Sequence, residues 1–434
     1  MSQQGSKLGI LAAGGPAPGI NSVIGAATIR ACLSDVEVIG ILDGFKWLMQ
    51  GDTSHVMPLS IADTRRIHFR GGSHIGIARG SPARDDEALA RTCDALRRLG
   101  IGMLITIGGD GTAYNAYRVS QAAGGALRVV HVPKTIDNDL DLPFDVSTFG
   151  YQTARHVGCE LVENIMVDAK TTSRWYFVVA QGRKAGHLAM GIGKAVGATI
   201  TLIPEEFRGE TRLATVVDTL VGAIVKRLTY GRADGVALLA EGLAEKIPVD
   251  ELAQLCEVPR DAWGNIALAQ IDLGDVLRRA VLRRLGELGL DVTIVHKSIG
   301  YELRCADPIP FDMEYTRDLG YSAAKHIVEG GSNVMVAMIE GKFRPIPFSD
   351  MIDLESGRTR IRLVDVDSDR YKIARTYMLR LRREDFDDEV ELARLSATLR
   401  MTPERFRAEL FHVVEPASSF AHSLHPLKAA DPSA

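Results

Sequence analysis

The sequence has 434 residues, 46% hydrophobic and 24% charged, an ordinary globular composition with chain enough for two domains and their cores. Lys and Arg number 51 against 55 Asp and Glu, so the net charge of −4 offers no basic surface for nucleic acid. No run of about 18 apolar residues predicts a membrane helix. Five scattered cysteines without a CxxC pair argue against a disulfide framework or a structural zinc site, and the first residues lack the apolar stretch of a secretory signal. A cytoplasmic enzyme without membrane or nucleic-acid partners is expected.

In chain order, Lys7–Leu11 predicts a short apolar strand running into the turn Ala12–Gly19. A helix follows over 21–32, a strand over 36–41, a helix over 85–99, and strands over 103–107 and 129–132. Apolar strands alternating with helices imply a parallel sheet covered on both faces, the doubly wound α/β class. The pattern resumes with strands expected over 175–180, 198–203, 235–240 and 292–295, which predicts a second α/β lobe. From Asp369 onward the chain is charged and helical in pattern, ending in a loose Pro/Ser/Ala tail from about Pro416.

Four segments stand where strands end, the place ligands bind in open α/β sheets. Glycines in Gly14-Gly15-Pro16-Ala17-Pro18-Gly19 let backbone N–H groups approach a phosphate, although a plain strand-to-helix turn has the same composition. Gly108-Gly109-Asp110-Gly111-Thr112 places one carboxylate among three glycines. That suits a phosphate cradle in which Asp110 holds Mg²⁺, and equally a turn with Asp as helix cap. Pro133-Lys134-Thr135-Ile136-Asp137-Asn138-Asp139 carries two carboxylates of which one can be a general base, or both can be solvated in an Asx turn. Gln181-Gly182-Arg183-Lys184-Ala185-Gly186-His187, preceded by Arg174, offers guanidinium groups that match phosphate oxygens.

Together and in this order, the four motifs resemble the phosphofructokinase family. Gly76-Ile77-Ala78-Arg79, Phe149–Ala154, Ala240-Glu241-Gly242 and Gly300-Tyr301-Glu302-Leu303-Arg304 add to the likeness, which runs from about Lys7 to about Lys342. The resemblance implies two Rossmann-like lobes with a helical C-terminal extension. The donor lobe would take residues 1–148 with about 305–340, and the sugar-phosphate lobe 149–304 with about 341–434. It implies phosphoryl transfer to the 1-hydroxyl of fructose 6-phosphate, with Mg²⁺ as cofactor. By motif position, Asp137 would be the base, with Arg79 and Arg183 neutralising the transferring group. Gly15, Arg79, Gly108, Gly109, Asp110, Gly111, Thr112 and Lys134 would line the donor, with Asp110 on the metal. Thr135, Ile136, Asp137, Gln181, Gly182, Arg183, Glu241, Tyr301 and Arg304 would hold the sugar phosphate. Arg174 would reach in from a neighbouring subunit of a dimer or tetramer.

Three positions depart from the family pattern. Gln181 stands for the usual Met and Val295 for a substrate Arg, with Lys297 on the same strand face as a replacement. Gly25 stands where bacterial ATP enzymes carry an effector-site Arg, so control of that kind is not expected. The donor signals are mixed. In the family an Asp in place of Gly111 goes with pyrophosphate, because it fills the room of the ATP α-phosphate, whereas Gly leaves that room open. Lys134, by contrast, is the pyrophosphate-type residue. Steric exclusion outweighs a flexible lysine that can swing aside, so ATP is the expected donor. Pyrophosphate is the alternative, a kinase for another sugar phosphate or a nucleoside the second. A non-catalytic regulatory subunit is disfavoured by the presence of Asp110, Asp137, Arg79 and Arg183.

Overall fold

The computed structural model describes residues 6–143, 146–207, 209, 211–256, 271–353 and 358–414; the tail expected from Pro416 lies outside these. In chain order the main elements begin with β1 (Lys7–Ala12), α1 (Ile20–Cys32), β2 (Val38–Ile41), β3 (Val56–Leu59), α2 (Asp86–Arg98), β4 (Ile101–Gly108), α3 (Asp110–Ala122) and β5 (Arg128–Pro133). There follow α4 (Tyr151–Thr172), β6 (Trp175–Ala180), α5 (His187–Val196), β7 (Ile200–Leu202), α6 (Leu213–Thr229), β8 (Gly235–Ala240), α7 (Leu273–Glu287) and β9 (Ile294–Ile299). The last are α8 (Pro310–Val328), β10 (Val334–Ile339), β11 (Lys342–Pro347), α9 (Asp369–Tyr377), α10 (Glu389–Thr398) and α11 (Pro403–Leu410). Two compact units result, Met1–Gly158 with Ile299–Leu363 and Cys159–Ser298 with Val364–Ala434.

The first unit is built on a seven-stranded sheet in the order β11-β10-β5-β4-β1-β2-β3. Its five inner strands are parallel. Both outer strands run antiparallel to their neighbours, and both carry proline: Pro58 in β3, Pro345 and Pro347 in β11. Proline has no N–H to give a ladder, so such strands are confined to edges. The β10–β11 hairpin turns on Glu340 and Gly341, both at positive φ, as a two-residue turn between right-twisted strands requires. The strand alternation of period two sends Leu8, Ile10 and Ala12 to one face, where they meet Ile20 and Ile24 of α1 and Leu319 and Ala323 of α8. Leu11 goes to the other face, with Leu96 of α2 and Val119 of α3. The doubly wound class read from the sequence is the class observed.

The second unit has a four-stranded sheet in the order β7-β8-β6-β9, with β7, β8 and β6 parallel. Its core joins Trp175 and Phe177 of β6 to α6 and α7, and also takes Leu392, Leu395, Phe406 and Leu410 from the C-terminal segment. The C-terminal segment therefore completes this unit's core. A buried ion pair ties it down: Lys226 Nζ donates to both carboxylate oxygens of Asp385 at 2.7 and 2.6 Å and to the Arg380 carbonyl at 3.1 Å. Among the described residues no helix is long and apolar enough to cross a membrane.

Candidate active site

In the first unit β1, β4 and β5 are adjacent and parallel, so the loops that leave their C-terminal ends emerge on one edge. These loops are the glycine turn at 14–19, the Gly108–Thr112 segment and the Lys134–Asp139 segment. Two glycines are dictated by geometry. Gly14 has φ +92°, and a Cβ on Gly108 would lie 2.3 Å from the Cβ of Thr112. Arg79 joins the glycine turn through the backbone, since Ala78 and Ala13 form a parallel bridge and the Gly14 N–H donates to the Ala78 carbonyl at 3.1 Å. Arg79 itself is exposed. Arg304 reaches the same turn: its Nη1 lies 3.7 Å from where a Gly15 Cβ would stand, and its guanidinium stacks over the exposed Tyr301 ring at 4.4 Å. Its buried Nε has no hydrogen-bond partner among the described residues, a donor left for a ligand.

Lys134 lies at the centre of this edge. Its backbone N–H donates to the Gly108 carbonyl at 2.8 Å, and its Nζ donates to the Gly15 carbonyl, so one residue links all three loops. The side chain is only 4% exposed. Burial pulls its pKa down to about 8, against the upward pull of the Asp137, Asp139 and Asp110 carboxylates nearby.

The loop carrying Asp137 is braced. The Asp137 N–H donates to Thr135 Oγ1 at 3.0 Å, Thr148 Oγ1 donates to the Thr135 carbonyl at 2.7 Å, and the Thr148 N–H donates to Asn138 Oδ1 at 3.0 Å. Ile136, expected among the sugar contacts, is buried, with 5% of the residue exposed.

The sequence reading missed His131, which stands on β5 at 0% exposure. Its Nε2 donates to the Gly108 carbonyl at 3.0 Å, which leaves Nδ1 to accept from Thr106 Oγ1 at 2.8 Å. A histidine within an apolar strand reads as an interruption of the pattern; only the neighbouring strand's Thr106 and Gly108 explain it. Burial lowers its pKa to about 3. The unfolded chain binds this proton below about pH 6.5 and the folded chain does not. His131 therefore makes stability fall as pH drops from about 6.5 toward 3, with its contribution intact above that window. Thermal midpoints of wild type and His131→Gln across this range check it: the variant is expected to show the shallower acid slope, and equal slopes would contradict the assignment.

In the second unit the loops after β6 and β8 also emerge on one edge. The Gly182 N–H donates to Glu241 Oε2 at 3.2 Å and the Gly242 N–H to the Gly182 carbonyl at 3.0 Å, which brings Gln181, Gly182, Arg183 and Glu241 together. Burial raises the Glu241 pKa, with Gly182 N–H and Arg183 opposing it. The buried Gln181 Oε1 has no partner among the described residues. Arg174 is not part of this group: it precedes β6, roughly 20 Å of extended chain from Gln181 at the other end. Lys297, offered as a replacement for the missing substrate Arg, is exposed on β9.

No group of three or more His, Cys, Asp or Glu with metal-binding geometry occurs among the described residues. The Asp110 carboxylate, close enough to Lys134 to act on its charge, still fits Mg²⁺, which keeps one or two carboxylates and takes its other oxygens from water and substrate phosphates. The cradle has room for them, since a Cβ on Gly111 would meet nothing within 4 Å.

The model of the phosphofructokinase family matches residues 7–327. The pyrophosphate–fructose 6-phosphate 1-phosphotransferase of Thermotoga maritima is 50% identical over 414 residues, 94% of this chain and 99% of that protein. The protein of the same name from Naegleria fowleri is 43% identical over 418 residues, 94% of this chain and 96% of its own. Among solved structures, phosphofructokinase from Saccharomyces cerevisiae superposes with a TM-score of 0.64 at 21% identity, over 94% of this chain; this chain spans about half of that one, 49%. The chain belongs to the phosphofructokinase family, a family of phosphotransferases.

One expectation is corrected. ATP was the donor expected from Gly111, yet the relatives at 50% and 43% identity are both named for pyrophosphate. The physical reason lies in the weight given to the two positions. Lys134 does not swing aside as a flexible surface lysine would, being buried and bonded to the Gly15 carbonyl. Gly111, in contrast, faces open space and constrains little.

Proposed function

We propose that this chain transfers a phosphoryl group between pyrophosphate and the 1-hydroxyl of fructose 6-phosphate, giving fructose 1,6-bisphosphate and orthophosphate in a reversible cytoplasmic reaction. The observation that carries this reading is the buried Lys134 ammonium, held at the glycine turn beside the Asp110 and Asp137 carboxylates. A fixed ammonium there complements a compact polyanion, and the names of the two relatives support the same donor.

Phosphoryl transfer needs positioning and charge neutralisation more than covalent chemistry. Asp137 would accept the proton of the 1-hydroxyl as that oxygen attacks. Backbone groups of Gly15, Gly108, Gly109, Gly111 and Thr112, with Lys134 and Arg79, would hold the pyrophosphate. Asp110 would hold Mg²⁺, which when bound offsets the phosphate charge. Arg183 would neutralise the transferring group. Thr135, the Ile136 backbone, Gln181, Gly182, Glu241, Tyr301 and Arg304 would bind the sugar phosphate, with Tyr301 and Arg304 supplying a ring and a guanidinium already stacked. Arg174, remote from Gln181 along β6, would serve the site of a neighbouring subunit in a dimer or tetramer.

The test is the reverse direction. Fructose 1,6-bisphosphate, orthophosphate and Mg²⁺ are expected to yield pyrophosphate and fructose 6-phosphate, followed by phosphorus NMR. Absence of pyrophosphate in a preparation that phosphorylates fructose 6-phosphate from another donor would remove pyrophosphate from the account.

A further inference from the structure

We infer that Arg362, a residue beyond the span matched by the family model, is a positioning residue for the loop that carries Asp137. Its guanidinium donates to the Asn138 carbonyl from Nε and Nη2, both at 3.2 Å, to the Asn138 side-chain oxygen from Nη2, and to the Val146 carbonyl from Nη1 at 2.9 Å. One planar fork thus holds Asn138, which directly follows Asp137, and Val146, eight residues further on. The backbone supports it: the Arg362 N–H donates to the Asp139 carbonyl at 2.9 Å, and Leu140 and Ile361 form an antiparallel bridge. Arg362 belongs to the same unit as Asp137.

Asn138 is where such a hold is needed. It has φ +55°, the left-handed region, which asparagine enters more readily than other non-glycine residues and which its hydrogen bonds here hold in place. Its side-chain oxygen is shared between the Thr148 N–H and Arg362, and its carbonyl accepts from Nε and Nη2 of the guanidinium. Thr148 secures the Thr135 side of Asp137 and Arg362 secures the Asn138 side, so the carboxylate has little freedom to drift. The Arg360–Asp141 ion pair nearby, 3.8 Å apart and exposed on both sides, contributes little beside this. A lysine could not replace the fork, because a single ammonium cannot reach acceptors spread across two segments in one plane.

The inference rests on Asp137 as the base, and the experiment separates the two. Arg362→Ala and Arg362→Lys are compared with wild type and Asp137→Asn in the full chain. Both Arg362 variants are expected to lose roughly 10- to 100-fold in kcat, as a displaced base would, with KM for fructose 6-phosphate and pyrophosphate changed by less than about threefold. Added methylguanidinium is expected to restore part of the kcat of Arg362→Ala. Hydrogen exchange at residues 137–140 is expected to accelerate in both variants while exchange in β1 and β4 does not. The lysine variant preserves the charge and most of the packing, so it decides the matter should the alanine variant fail to fold. Either kcat within about twofold of wild type, or a loss that follows thermal stability and ignores methylguanidinium, would overturn the inference. Asp137→Asn at the wild-type rate would remove Asp137 as base; the exchange measurement would still report whether Arg362 holds the loop.

Discussion

Asp137→Asn is expected to lower kcat by about 100- to 10,000-fold, the range a positioned general base contributes. The amide keeps the shape of the side chain and cannot take the proton of the attacking hydroxyl. Because the loop is braced through backbone groups and through Thr135, Asn138 and Thr148, the variant is expected to fold and to bind both substrates with KM values close to wild type. Steady-state kinetics in both directions check this. The forward and reverse rates must fall together, since the group that accepts the proton in one direction returns it in the other. Turnover within a few fold of wild type would exclude Asp137 as the base.

Lys134→Met is expected to reduce kcat/KM for pyrophosphate by about 10- to 100-fold, the worth of roughly 1.5–3 kcal/mol for a hydrogen bond to a charged group. Methionine matches the four-atom apolar stem of the side chain and lacks the ammonium. The effect also has a pH signature. Lys134 is charged below its pKa of about 8, so kcat/KM for pyrophosphate in the wild type is expected to decline as pH rises through that value. That profile belongs to the free enzyme; bound pyrophosphate holds the proton on, so kcat itself declines only at higher pH. In Lys134→Met this alkaline limb is expected to vanish. A variant with unchanged kcat/KM, or one that retains the limb, would place the donor away from Lys134.

Much of the scaffold could be read from the chain. The apolar strands at 7–11, 103–107, 129–132, 175–180 and 235–240 are strong local signals, and each pairs in parallel with a sheet neighbour. Helix α2 starts one residue from its expected position because Asp85 accepts from the Glu87 and Ala88 N–H groups at 3.0 and 3.2 Å. The loops carrying the glycines and Asp110 and Asp137 followed from strand ends. What could not be read depends on partners distant in sequence. His131 makes sense only beside Thr106 and Gly108 on the next strand. Arg362 lies more than two hundred positions from the loop it holds, and in sequence it is one arginine among many. The apolar residues of 381–410 fill a core whose remainder is formed mainly by β6, β7, β8, α6 and α7.

The donor was misread for a related reason. A sequence names Gly111 and Lys134 without telling which of them is constrained. The constraint is on Lys134, through its burial and its bond to the Gly15 carbonyl, while the position of Gly111 is open.

The most direct test is the initial rate with fructose 6-phosphate and Mg²⁺, comparing pyrophosphate with ATP over matched concentrations and repeating the comparison with Lys134→Met. The account predicts a large kcat/KM preference for pyrophosphate in the wild type that shrinks in the variant. A wild-type preference for ATP, or a pyrophosphate preference undiminished by loss of the ammonium, would contradict it.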